Sequence, residues 1–211
     1  MNATENRAYL NWRMSKADRA QNYGSMADGY RLAAIRLLDS LIDDNVGHDA
    51  DVIVFPVLFC AHQSLELYLK ATRLYAVEAV SDTNPWDCEV KSTHNLTKLI
   101  SSVNSVFPQS DNEKLIRCDE TRDFFDLVDL LEEIGDDQNG SYHVDFARYP
   151  ESSGKKGRTS YSFVKDDRFE FRLDKLKNDI EKALSFMDGF CSKWAEQADS
   201  AQPAKAEYGL M

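Results

Sequence analysis

Four ionisable residues near the middle of the chain, His62, Glu66, Lys70 and Arg73, are spaced by four, four and three positions. On an α-helix those steps put all four side chains on one face. An imidazole, a carboxylate, an ammonium and a guanidinium in one row can move a proton, hold an anion or pair with one another. Glu66 followed by Lys70 has the favourable order for an intrahelical ion pair, worth about 0.3–0.5 kcal/mol where water reaches it. The neighbours Leu58, Leu65, Leu67 and Leu69 are apolar. A charged row on such a helix must be paired or solvated, because an isolated buried charge is very costly. It is therefore either a solvated edge or the lining of a groove filled by another helix, a loop or a ligand.

Two further residues extend this candidate site. His94 follows Thr93, a good N-cap, and is expected in the first turn of a helix, where the positive end of the dipole favours a neutral imidazole. Taken alone, a histidine in that position is more often a capping or packing residue than a catalyst. Arg148 stands beside Tyr149 and Pro150, a rigid presentation for a planar anion-binding fork. The candidate ligand-binding set is thus His62, Glu66, Lys70, Arg73, His94, Arg148 and Tyr149, with His94 and Arg148 the candidates for catalysis. No metal and no cofactor are expected. Zinc sites use tight Cys or His pairs, whereas Cys60, Cys88, Cys118 and Cys191 are scattered. Reduced thiols in a cytosol are the simpler reading.

The elements that must carry these residues are helical. Residues 1–23 hold Tyr9, Leu10, Trp12 and Met14 without a sustained period, and read as an arm or short helix. Between residues 28 and 44, Tyr30, Ala33, Ala34, Leu37, Leu38, Leu41 and Ile42 recur at helical spacing. Residues 52–80 are apolar on nearly every side, which predicts a buried hub helix with Pro56 in its first turn. A third helix is predicted from about residue 93 to Pro108, and a fourth over 113–134, closed by Gly135. Residues 136–168 form a long connection, with a weak strand pattern at Tyr161 and Phe163, before a last helix over 169–197 and a loose tail over 198–211. The expected fold is an all-α bundle of four to five helices with a long loop before the last, occupying residues 24–197 as one domain.

Composition agrees with that outline. A chain of 211 residues with 43% apolar content can fill one core. No run of about 20 apolar residues is present, and the polar N-terminus lacks a signal-peptide core, so a cytoplasmic protein without a membrane span is expected. The formal charge is −11, and nine acidic residues fall between Asp119 and Asp137 against Arg122 alone. That field opposes nucleic acid unless a local patch, such as Lys155, Lys156 and Arg158, overcomes it.

Three segments taken in order resemble a known family. FPVLFCAHQSLELYLKA (55–71), STHNLTKLI (92–100) and FARYP (146–150), followed by Gly154, resemble a branch of the HEPN (higher eukaryotes and prokaryotes nucleotide-binding) superfamily. Its E-L-x-L-K-like, H-x-L and R-Y-P motifs fall here on Glu66, Leu67, Leu69 and Lys70, on His94 and Leu96, and on Arg148, Tyr149 and Pro150. The resemblance spans about residues 28–195. It implies a helical bundle that often dimerises, and a role in prokaryotic toxin–antitoxin, phage-defence or RNA-processing systems. Many relatives are metal-independent ribonucleases using an Arg followed four to six residues later by His. This chain departs from that pattern, because His48, His62, His94 and His143 lack such an Arg and no His follows Arg148. The expectation is a HEPN-like binding module, homodimeric or in a hetero-complex, for a protein partner or a nucleotide-like ligand, RNA included. The alternative is an endoribonuclease with a non-standard site.

Overall fold

The computed structural model describes residues 8, 14, 18–81, 92–107, 110–136, 144–147, 151–154, 157–160 and 170–207. Among these, five helices pack against one another: α1 (Arg19–Asp43), α2 (Ala50–Val80), α3 (Leu96–Asn104), α4 (Arg122–Ile134) and α5 (Leu173–Glu207). The fold is an all-α bundle. Helix α2 is its hub, packed against α1, α3, α5 and a 3-10 turn at Val144–Ala147, while α4 closes on α5 and α3. Leu58, Leu65, Leu69 and Leu74 of α2 are fully buried, as an all-round apolar helix requires. By length and composition α2 could cross a membrane, and 56% of that window is buried inside the bundle.

Several boundaries differ from those expected, each for a local reason. Helix α1 starts at Arg19 instead of residue 28, so the limit drawn after residue 23 falls inside it. Asp18 caps it by accepting from the Gln21 N–H at 2.7 Å. Its early buried residues, Ala20 and Ala27, are too small to stand out as an apolar stripe. Helix α2 begins at Ala50, which puts Pro56 beyond the first turn. Pro56 and Val52 are exposed there, so water can serve the Val52 carbonyl that the missing proline N–H leaves behind.

Helix α3 is capped by Asn95, not Thr93, through the Lys98 N–H at 2.8 Å. Glu132 of α4 reinforces that end by accepting from the Thr97 N–H at 3.0 Å and its hydroxyl at 2.9 Å. Helix α4 is nine residues shorter than the expected 113–134 because other partners claim the backbone before it. Asn104 takes both the N–H and the carbonyl of Leu115, and the Thr121 hydroxyl takes the Ile116 carbonyl and the Cys118 N–H. The connection to α5 contains an antiparallel hairpin, Glu151–Gly154 with Gly157–Ser160. The strand expected at Tyr161 and Phe163 lies outside the described residues. The tail expected to be loose is helical to Glu207, and Ala198 continues the buried stripe one turn past Trp194.

Candidate functional site

The charged row on α2 is not a solvated edge. His62 and Glu66 are buried at 0% and 2% exposure, and the segment entering α3 covers them. Glu66 is the centre of the cluster. Lys70, one turn further along α2, donates to its Oε1 at 2.6 Å. His94 reaches the same carboxylate from the next segment, with Nδ1 at 2.9 Å from Oε2 and 3.2 Å from Oε1. His62 faces it from one turn earlier, with Nδ1 at 4.0 Å from Oε2.

Chain geometry explains this convergence. The four-residue steps align His62, Glu66 and Lys70 along α2. The cap at Asn95 ends the incoming strand of chain and turns it into α3, so that His94 stands just before the helix and over Glu66. Arg73 ties the two elements together by donating from Nη1 to the Ser102 carbonyl at 2.9 Å. It is therefore a brace between α2 and α3, two turns beyond the carboxylate. Ser102 was not legible as its partner, because a main-chain acceptor leaves no trace in residue type.

Exposure divides the cluster into an inner and an outer part. The Glu66 and Lys70 side chains are 3% and 11% exposed, whereas that of His94 is 62% exposed. A carboxylate only accepts, so Nδ1 of His94 must carry the shared proton. In a neutral imidazole this turns Nε2, a bare acceptor, away from Glu66. Burial pushes His62 the other way on the pH scale, down from 6.5 to about 4. Glu66 and the His94 main chain oppose that shift, while the charges of the His94 ring and of Lys70 add to it.

Of the expected site residues, His62, Glu66, Lys70 and His94 come together, and Arg73 lies at the edge of the cluster. Arg148 and Tyr149 lie outside the described residues. A second polar group was not anticipated. Tyr68, on another face of α2, donates to Asp28 of α1 at 2.5 Å, and Arg31 of α1 donates to Asp188 of α5 at 2.8 Å. Burial and the nearby Asp28 push the Tyr68 hydroxyl well above its usual range, so it remains a donor. This group joins three helices, and its partners are too distant in sequence for spacing to suggest them. A groove of about 210 Å³ between α4 and α5 is lined by Asp123, Asp126, Leu127, Leu130, Lys175 and Asp179. It shares no residue with the Glu66 cluster. Among the described residues no group of three or more His, Cys, Asp or Glu side chains is arranged to hold a metal.

Fold and site together define an all-α bundle whose hub helix buries a carboxylate shared by a lysine and an exposed histidine. No family model, curated protein or solved structure matches the chain.

Proposed function

We propose that the chain is a HEPN-like module, non-catalytic, that binds a partner protein or a nucleotide-like ligand in a prokaryotic defence or toxin–antitoxin setting. The observation that carries this reading is the meeting of two motif segments at one carboxylate. Glu66 and Lys70 of the E-L-x-L-K segment and His94 of the H-x-L segment, 28 residues apart, form a single hydrogen-bonded group. An exposed imidazole braced from beneath by a buried carboxylate is suited to recognition, because its orientation is set before the ligand arrives. Arg148 and Tyr149 are assigned to the same site on the strength of the R-Y-P motif. The module is assigned to the cytoplasm, as a homodimer or within a hetero-complex.

Co-purification from the native host tests this directly. A protein or nucleotide is expected with the wild type and not with His94→Ala or Arg148→Ala. A stable preparation that carries no partner and binds no nucleotide would refute the binding reading.

One contact favours a second reading, a metal-independent endoribonuclease. The Glu66–His94 hydrogen bond fixes the tautomer that an acid–base imidazole needs, and Lys70 supplies a nearby cation. Loss of one such group from a working site typically costs about 10²–10⁴-fold. The purified chain is expected to leave structured and single-stranded RNA intact at low salt with EDTA, because the usual Arg–His pair is absent and the charge of −11 opposes approach. Cleavage by the wild type that both His94→Ala and Arg148→Ala abolish would promote the ribonuclease.

A further inference from the structure

Helix α1 carries a second stripe besides the one it buries against the bundle. Tyr23, Met26, Tyr30, Ala33, Leu37 and Ser40 follow one another at alternating steps of three and four, with Arg19 four residues before them and Asp44 four after. That alternation is the period of a coiled-coil seam, which keeps facing one partner helix along its whole length. Met26 is 43% exposed, and Tyr30, Ala33 and Leu37 are half-buried. Charges on α1 turn elsewhere: Asp28 to Tyr68 of α2, and Arg31 and Asp39 to Asp188 and Lys177 of α5. Beside the stripe, Phe59 of α2 meets the Tyr30 ring edge-on with centroids 6.4 Å apart. Val52 and Pro56 share that face of α2 and are exposed, Val52 by 71%.

We propose that this stripe is a dimer seam: a second copy of the chain packs its own α1 antiparallel against it, about a two-fold axis midway between Tyr30 and Ala33. In that register Tyr30 lies against Ala33 of the second copy, Met26 against Leu37, and Tyr23 against Ser40. Arg19 meets Asp44 at each end. Every layer is self-complementary, as a two-fold contact requires. Two of the layers set a large side chain against a small one, so the helices can close to the usual separation of about 8–10 Å. Parallel pairing would instead stack Tyr30 on Tyr30 and Asp44 on Asp44.

Charge selects both the face and the occupant. Two copies of a chain with a formal charge of −11 repel one another wherever acidic surfaces meet. Helix α4, with Asp123, Asp126 and Asp129 exposed, is such a surface. The α1 stripe has no charged residue between its ends, and its ends carry opposite signs. Exposed Val52 and Pro56 then come to the edge of the contact. The seam rests on the homodimeric form of the module proposed above and commits that form to one face.

Sedimentation velocity over a concentration series of the full chain measures the dimer constant. Ala33→Arg is expected to give a monomer throughout the micromolar range, with an unchanged circular dichroism spectrum. The charged ends supply a test that leaves the apolar layers intact. Arg19→Asp and Asp44→Arg should each weaken the dimer about ten-fold, because each sets like charges together at both ends. Combining them should restore the constant to within about three-fold of wild type. A dimer that none of these variants weakens, or a double variant no tighter than the singles, would overturn the seam while leaving a homodimer through another face. A wild type monomeric at every concentration would overturn the seam and the homodimer together, and would leave ligand binding at the Glu66 cluster to the co-purification. A different protein retained by that monomer and released by Ala33→Arg would assign the stripe to it, again against a second copy.

Discussion

Acid should weaken this fold through His62, and His62→Gln is the perturbation that isolates the effect. The imidazole is fully buried, and its titration falls from 6.5 to about 4 on folding. Between those values the unfolded chain binds a proton that the folded chain refuses, so stability rises with pH there. The contribution is fully present well above 6.5 and is lost as pH falls toward 4. At 1.36 kcal/mol per pH unit, the loss relative to neutral pH is about 2 kcal/mol by pH 5 and about 3 kcal/mol near pH 4. That is a large share of the roughly 5–15 kcal/mol that stabilises a typical domain. Urea unfolding at a series of pH values, followed by far-ultraviolet circular dichroism, measures it. Other carboxylates add their own acid dependence, so the comparison is between slopes: His62→Gln should flatten the wild-type slope by close to one proton between pH about 4.5 and 6. If the two proteins lose stability in parallel over that range, His62 is not held neutral by burial and the reasoning fails.

Glu66→Gln should cost about 3–5 kcal/mol, because it leaves the Lys70 ammonium buried without its counter-charge; a thermal midpoint within a degree or two of wild type would refute this. Asn95→Ala removes the cap of α3 and should cost about 1 kcal/mol by urea unfolding, reduced to the extent that Glu132 holds the same helix end. Trp194 is fully buried and stacks on Phe107 with ring centroids 4.4 Å apart, so Trp194→Ala should cost about 3–5 kcal/mol and lower the expression of folded protein. Sedimentation at micromolar concentration is expected to give a dimer or larger mass, and a monomer throughout would count against self-association.

The residues of the cluster were legible before the fold because helical periodicity is a local property. A separation of four residues puts two side chains on one face wherever the helix lies, so His62, Glu66 and Lys70 could be aligned from spacing alone. The hub role of α2 followed likewise, since a helix apolar on nearly every side has to be covered almost all round. Where the boundaries moved, competing local bonds were responsible. Asn104 and Thr121 capture the backbone of residues that a periodic pattern would assign to α4, and small alanines carry the first turns of α1.

What the sequence determined by itself, then, is the helical class, the hub and the row of charges along it, all set by contacts a few residues apart. Whether that row met water or protein was decided only by tertiary structure. The cap at Asn95 aims His94 back at a carboxylate 28 residues earlier, and Arg73 reaches a main-chain oxygen 29 residues later. Such meetings depend on how helices cross, and crossing is governed by the packing of whole faces rather than by the spacing of any one motif. The same packing seals His62 and Glu66 while leaving His94 in solvent, so three residues of similar polarity have different chemistry at one site.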